Sequence, residues 1–259
     1  MRAVWNFISI LIITIGVLIA YSFYPKTIKI GNLELKKNNL KTFIVGDTTP
    51  TDALMAVKLR NEKPKMDSSK QVILLIGDSM LEQLRWAMRD YCQYNGHELH
   101  TVMWYSAQSK WFGQYDTLKY YINKFHPTYI VLVLGANELF VSNIKERRAK
   151  YVKKIVADMD TIPFVWVGPP NWKKDTGIND LISRYVSWGA YYPSYKISLN
   201  NPKFKRYRDG AHPLPSTAAY WMDEIAKWIM KDSDHPILMN KPDVIGTMST
   251  NTVILQPLK

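Results

Sequence analysis

The chain has 259 residues, 47% of them hydrophobic, with one cysteine and a formal net charge of +12. That apolar content excludes a wholly disordered chain and suffices for one sizeable domain with accessories. A lone cysteine, Cys92, excludes an internal disulfide and a cysteine metal cage. The positive balance points to an anionic glycan or lipid head group, or to a solvated basic surface, and the lack of zinc-finger or RNP-like spacing argues against nucleic acid.

Residues 5–24, WNFISILIITIGVLIAYSFY, carry no charge, and a helix of that length spans roughly 30 Å, the thickness of bilayer hydrocarbon. Trp5, Tyr21 and Tyr24 lie at its ends like interfacial anchors. A cleavable signal peptide is the alternative, but LIAYS is a poor small-x-small cleavage site. The segment is therefore expected to be an uncleaved membrane anchor over residues 1–25. Lys26, Lys29, Lys36, Lys37 and Lys41 follow it, which by the positive-inside rule would keep the main domain in the cytoplasm; long domains can translocate regardless of such charges.

Residues 26–69 read as a stalk. TIKIGNLELKK alternates and is expected to pair as a hairpin with LKTFIVGD, and RNEKPKMDSSK is a charged linker. From residue 70 the pattern becomes α/β. Apolar runs predict strands at 72–76, 99–104, 129–134 and 163–167. Helical spacing falls between them, at Leu81, Leu84, Met88 and Tyr91, at Tyr115, Leu118, Ile122 and Phe125, and at Ile144, Tyr151, Ile155 and Met159. A last amphipathic helix is predicted over 216–230, with Ala218, Trp221, Met222, Ile225 and Ile229 on one face. Apolar strands alternating with helices imply a parallel sheet covered on both sides, with sites at the carboxyl ends of its strands. Residues 233–259 read as a tail without a clear period.

Ser79 follows the first of these strands in VILLIGDSMLEQL and precedes a helix. A helix N-terminus there offers free N–H groups to a developing oxyanion. Asp78-Ser79 fits a helix N-cap equally well. Asn137, in GANE after the 129–134 run, is a second candidate at the same end of the sheet, because an amide donates to an oxyanion without titrating. A serine nucleophile needs a base, and the base an orienting group. Two histidines have Asp three residues before and Pro after: His212 in DGAHP and His235 in DSDHP. Asp209-His212 precedes the last helix and can reach the serine, whereas Asp232-His235 follows it and should emerge at the opposite end. His97, His100 and His126 are expected to be structural or superficial.

GDS, GANE and DGAHP, in this order and strand context, resemble blocks I, III and V of the SGNH/GDSL hydrolase family over residues 70–232. The resemblance implies a flavodoxin-like three-layer α/β/α sandwich with a parallel sheet, here preceded by one N-terminal transmembrane helix. It implies ester chemistry with Ser79 as nucleophile, His212 as general base and Asp209 orienting it, and with the Ser79 N–H and Asn137 amide as oxyanion donors. There are two departures. Glu138 stands where the family usually has Asp, and the block II glycine has no clear match. Ser106-Ala107-Gln108 resembles the Ser-x-Gln of SGNH domains that O-acetylate cell-wall glycans, so that Ser106 would supply the missing donor; the alternative is an ordinary polar loop. Asp78, Gly135 and Gln108 are expected to contact substrate. No metal or other cofactor is expected.

The function expected from these readings is cleavage of acyl esters, chiefly O-acetyl, on an anionic glycan by a membrane-anchored domain outside the cytoplasm. The alternatives are a glycan O-acetyltransferase served by a membrane acyl-donor protein, a lipase or thioesterase, and a non-catalytic glycan-binding scaffold.

Overall fold

The computed structural model describes residues 2–23, 29–30, 33–34, 64–243 and 251–258. The chain forms two compact units, Met1–Lys63 and Pro64–Lys259.

In the first unit, α1 (Arg2–Phe23) is a helix of 22 residues over the uncharged run. Among the described residues, no helix is long and apolar enough to cross a membrane. Many side chains of α1 lie outside the described residues, so the expected anchor rests on the sequence pattern. Trp5, Ile10, Ile12 and Val17 are exposed and Tyr21 is half-buried. Strand β1 (Lys29–Ile30) pairs antiparallel with β2 (Leu33–Glu34), with Lys29 opposite Glu34. This pairing lies within TIKIGNLELKK; LKTFIVGD, the partner expected from the sequence, lies outside the described residues.

The second unit is built on six strands, β3 (Val72–Gly77), β4 (Glu98–Trp104), β5 (Tyr129–Val133), β6 (Phe164–Val167), β7 (Tyr191–Tyr192) and β8 (Thr252–Leu255). They lie in the order β7-β6-β5-β3-β4-β8, and every pairing is parallel. Without β8, this is the 2-1-3-4-5 order of flavodoxin-like sheets, whose topological switch point lies between the first and third strands, here β3 and β5.

Alternation along each strand divides the core between the two faces. Ile73 and Leu75 join one apolar cluster with Met88, Trp221, Ile225 and Ile229. Leu74 and Ile76 join the other with Phe112, Leu118, Val152 and Ile155. The first face is covered by α2 (Leu81–Tyr94) and, near the end of the chain, by a long helix over Pro215–Asp232. The second is covered by α3 (Ser109–Gln114), α4 (Thr117–Phe125), α5 (Ile144–Met159) and α6 (Ile178–Ser183). A four-residue helix, α7 (Tyr195–Ser198), precedes the long one, which is α8. Helix α8 starts with Pro215 in its first turn, where a missing N–H costs nothing. The buried face of α8 is the predicted one, Ala218, Trp221, Met222, Ile225 and Ile229.

Residues read as a tail take part in this unit. Val253 pairs with Val102, and the Trp104 indole N–H donates to the Gln256 carbonyl at 2.8 Å. Asp67 also bridges to Ile237.

Candidate active site

Strand β3 delivers its loop through a tight passage. A Cβ on Gly77 would lie 1.9 Å from the Val133 carbonyl oxygen, so only glycine lets β3 and β5 approach so closely here. The next N–H, of Asp78, donates to that oxygen at 3.0 Å. The chain then turns: Leu81 N–H donates to Asp78 O at 3.1 Å and Glu82 N–H to Ser79 O at 3.0 Å, leading into α2. Ser79 thus sits at the carboxyl end of the central strand.

His212 reaches Ser79 from a loop just before α8. Its Nε2 lies 2.9 Å from Ser79 Oγ and its Nδ1 lies 2.8 Å from Asp209 Oδ2. The hydrogen bond from His212 holds the Asp209 carboxyl down at about 2, with help from the Ala211 N–H. An ionised carboxylate only accepts, so Nδ1 carries the proton and the Nε2 lone pair faces the serine hydroxyl. Asp209 Oδ1 accepts the N–H groups of Ala211 (2.8 Å) and His212 (3.1 Å), which fixes the turn, while Gly210 takes φ +71°.

Arg206 anchors this loop. Its Nη1 donates to the Ala211 carbonyl at 2.5 Å, and its Nη2 donates to the carbonyls of Pro170 (3.1 Å) and Asn171 (3.0 Å) after β6. Burial lowers its pKa to about 10, with the Asp209 charge acting in the opposite direction. Nothing in FKRYRDG marked Arg206 among its basic neighbours.

Three loops meet beside Ser79. Asn137, in the short 3₁₀ turn Ala136–Glu138 after β5, donates through Nδ2 to the Ala107 carbonyl at 3.0 Å, in the loop after β4. Since β3 lies between β4 and β5, this bond crosses the end of the strand that carries Ser79. It uses one amide hydrogen and leaves the other. Ser106 is exposed and held at φ +58°. Among the described residues, neither the Ser79 nor the Ser106 N–H has an acceptor.

The residues expected to contact substrate, Asp78, Gly135 and Gln108, have these surroundings. Asp78 is fully buried; Oδ1 accepts the Met80 N–H at 3.0 Å and Oδ2 the Ala136 N–H at 3.2 Å. It braces the serine turn against the asparagine turn. Burial raises its pKa to about 6, against the opposing pull of its backbone N–H donors. Gly135 is also buried, at φ +125°, where an added Cβ would lie 3.2 Å from Pro169 Cδ. Gln108 is half-buried and its Oε1 accepts from Arg148 Nη2 at 3.0 Å. Glu138, the departure from the family pattern, is completely buried. It accepts from Ser109 N (2.8 Å), Ser109 Oγ (2.8 Å) and Arg148 Nε (2.6 Å), tying both loops to α5. Burial raises its pKa, and these partners work against the rise.

The other histidines stay apart. His97 accepts the Gln71 N–H through Nδ1 and donates through Nε2 to the Leu238 carbonyl at 2.6 Å. His100 stacks on Phe125, and His126 caps α4 at φ +48°. His235 shares a recess with Gln71, Thr128 and Pro163, just before β3, β5 and β6, at the opposite end of the sheet. Among the described residues no cluster of metal-ligating side chains occurs.

No protein-family model and no curated protein sequence matches the chain. Among solved structures, it is similar to the psychrotrophic esterase EstA from a Pseudoalteromonas species, inhibited by monoethylphosphonate. The identity is 16% and the TM-score 0.45, over 61% of this chain and 98% of that one. It is also similar to the C-terminal catalytic domain of Streptococcus pneumoniae peptidoglycan O-acetyltransferase A, bearing a methylsulfonyl adduct, at 18% identity and a TM-score of 0.44, over 62% of this chain and 93% of that one.

Proposed function

We propose that the protein is a serine-dependent enzyme of acyl ester chemistry, and that its natural ester is an O-acyl group on carbohydrate. The observation that carries the reading is the relay Asp209–His212–Ser79, with contacts of 2.8 and 2.9 Å. His212 Nε2 takes the Ser79 proton as Oγ bonds to the acyl carbon. The oxyanion is met by the N–H groups of Ser79 and Ser106 and the spare Asn137 amide hydrogen, and removing one such donor costs about 2.7–4 kcal/mol in comparable sites. As the ester C–O bond breaks, His212 returns the proton to the departing sugar oxygen, leaving an acyl-serine. Water, activated by His212, then releases the acid and frees the serine.

The groove beside His212 supports a polar substrate. It measures about 630 Å³ and is lined by Glu82, Gln83, Tyr207, Arg208, Asp209 and His212. A lipase would need an apolar channel there. Transfer of the acyl group to a sugar hydroxyl uses the same steps and would require an acyl-donor partner. The apolar side chains exposed on α1 support a membrane tether; the placing of the second unit outside the cytoplasm follows only from the glycan substrate proposed here. The test is hydrolysis of p-nitrophenyl acetate by the full chain beside Ser79→Ala. Turnover lost in the variant supports the serine mechanism; turnover kept by a folded Ser79→Ala protein overturns it.

A further inference from the structure

We propose that a cavity of about 700 Å³, bounded by Asn171, Trp188 and Lys196, binds a carboxylate-bearing sugar of the glycan whose ester Ser79 attacks. The link to catalysis rests on the function proposed above; the binding itself does not.

The floor of this cavity has a fixed polarity. Asp175 accepts the Asn179 amide at 2.8 Å, so Nδ2 of Asn179 is the donor on that side. Asn179 Oδ1 therefore faces the Tyr191 hydroxyl and accepts from it. The remaining hydrogen of Asn179 goes to Asn171 Oδ1 at 3.0 Å. This chain leaves the Asn171 NH₂ as an unspent donor, with no acceptor among the described residues, on a side chain that lines the cavity.

The walls add aromatic surface and positive charge. Trp188 is 76% exposed, yet its turn is tightly held. Asp234 N–H donates to the Gly189 carbonyl at 2.9 Å, Ser187 Oγ donates to the Asp234 carboxylate, and a Cβ on Gly189 would fall 2.0 Å from Asp234 Oδ1. The DSDHP segment thus serves here through Asp234. An exposed indole on a rigid turn is a ready stacking surface for a sugar ring. Lys196 Nζ lies 5.3 Å from the Trp188 ring centre, and Lys173 and Lys174 line the cavity as well. Oxygens of the two acids in the lining already accept hydrogen bonds or ion pairs. Asp175 also accepts the Gly177 and Ile178 N–H groups, and Asp180 pairs with Lys145 (3.2 Å) and Arg184 (3.1 Å). The recess therefore presents lysine charge, an amide donor and an aromatic face together, which suits a sugar acid.

The lining of the cavity is tied to the loops around the serine. The Asn171 carbonyl and the Ala211 carbonyl, next to His212, are held by one guanidinium, that of Arg206. Trp172, the next residue, donates to the Ala136 carbonyl at 3.1 Å, beside Asn137. A chain of a few sugars can occupy both places.

The experiment titrates the full chain with trigalacturonate, maltotriose and inorganic phosphate, following binding by calorimetry. Trigalacturonate should bind the wild type, and about tenfold more weakly in Trp188→Ala and in Lys196→Ala. Both side chains are exposed, and both variants should keep the wild-type melting temperature and p-nitrophenyl acetate turnover. Maltotriose should bind more weakly than trigalacturonate, and phosphate should not displace it. Unchanged affinity in the two variants, equal binding of maltotriose, or displacement by phosphate would overturn the proposal. Ser79→Ala separates the two claims: it should bind trigalacturonate normally, and any ester turnover it retains counts against the serine mechanism alone.

Discussion

Asn137 and Ala107 are joined by a 3.0 Å hydrogen bond that passes over the end of the strand bearing Ser79. The bond holds one amide hydrogen still and thereby aims the other. Asn137→Ala should remove that oxyanion donor and lower kcat by about 10²–10³-fold with little change in KM. Steady-state kinetics on p-nitrophenyl acetate would check this; an equal rise in KM at constant kcat would place Asn137 in substrate binding instead.

The two Asp-x-x-His-Pro segments make opposite predictions. His212→Ala should lower turnover by roughly 10⁴-fold or more, as loss of a catalytic base does, whereas His235→Ala should leave it unchanged. Asp209→Asn should lower turnover by up to about 10⁴-fold, because a neutral amide no longer selects the Nδ1-protonated ring. Rates for the three variants at one pH, beside their melting temperatures, decide the assignment.

Asp78 predicts a pH dependence of stability. Its folded pKa of about 6 exceeds the ordinary value of 3.8, so the folded state holds the proton more tightly. The stability due to this group is greatest below about pH 4 and is lost as pH rises through about 6. A shift of this size corresponds to about 3 kcal/mol. Asp78→Asn does not titrate, but it turns an NH₂ group toward one of two N–H donors, at a cost of about 1–3 kcal/mol. The penalty of the variant should therefore shrink between pH 4 and pH 7. Guanidinium melts of both proteins at the two pH values would show it.

Glu138 and Arg148 form a buried pair at 2.6 Å. Arg148→Met would leave the carboxylate without its cation and should destabilise the protein by about 3–5 kcal/mol. Glu138→Gln should cost less, because an amide oxygen still accepts from Arg148. Turnover should fall with stability in Arg148→Met, since the same carboxylate holds Ser109 and with it the loop of Ser106. Thermal melts and turnover at a temperature below both transitions separate the two effects.

The sequence was most legible where periodicity is long and burial two-sided. Strands β3, β4, β5 and β6 and the buried face of α8 fall where apolar spacing placed them, because each is dictated by its own residues. Strands β7 and β8 were not legible. Two and four residues carry no period, and TVIL becomes a strand only by pairing with β4. The residues brought together at Ser79 were visible as motifs, since each sits at a strand end or in a short turn. Their supports were not: Arg206 acts through backbone carbonyls of distant loops, and Asp78 stands beside the serine in sequence yet points into the protein.

Strand β8 has a kinetic consequence. Trp104 and Gln256 are 152 positions apart, so this margin of the sheet closes only after a very large loop has been brought together. Among the described residues it pairs on one side alone, and the next bond along it, from the Tyr105 N–H to the Leu255 carbonyl, borders Ser106. Transient fraying of β8 would slacken that turn while β3 and β5 stayed closed. Amide exchange at Tyr105 should then outpace exchange at Ile76 and Leu132. Heat would silence the enzyme by unlatching this seam before the rest of the domain melts.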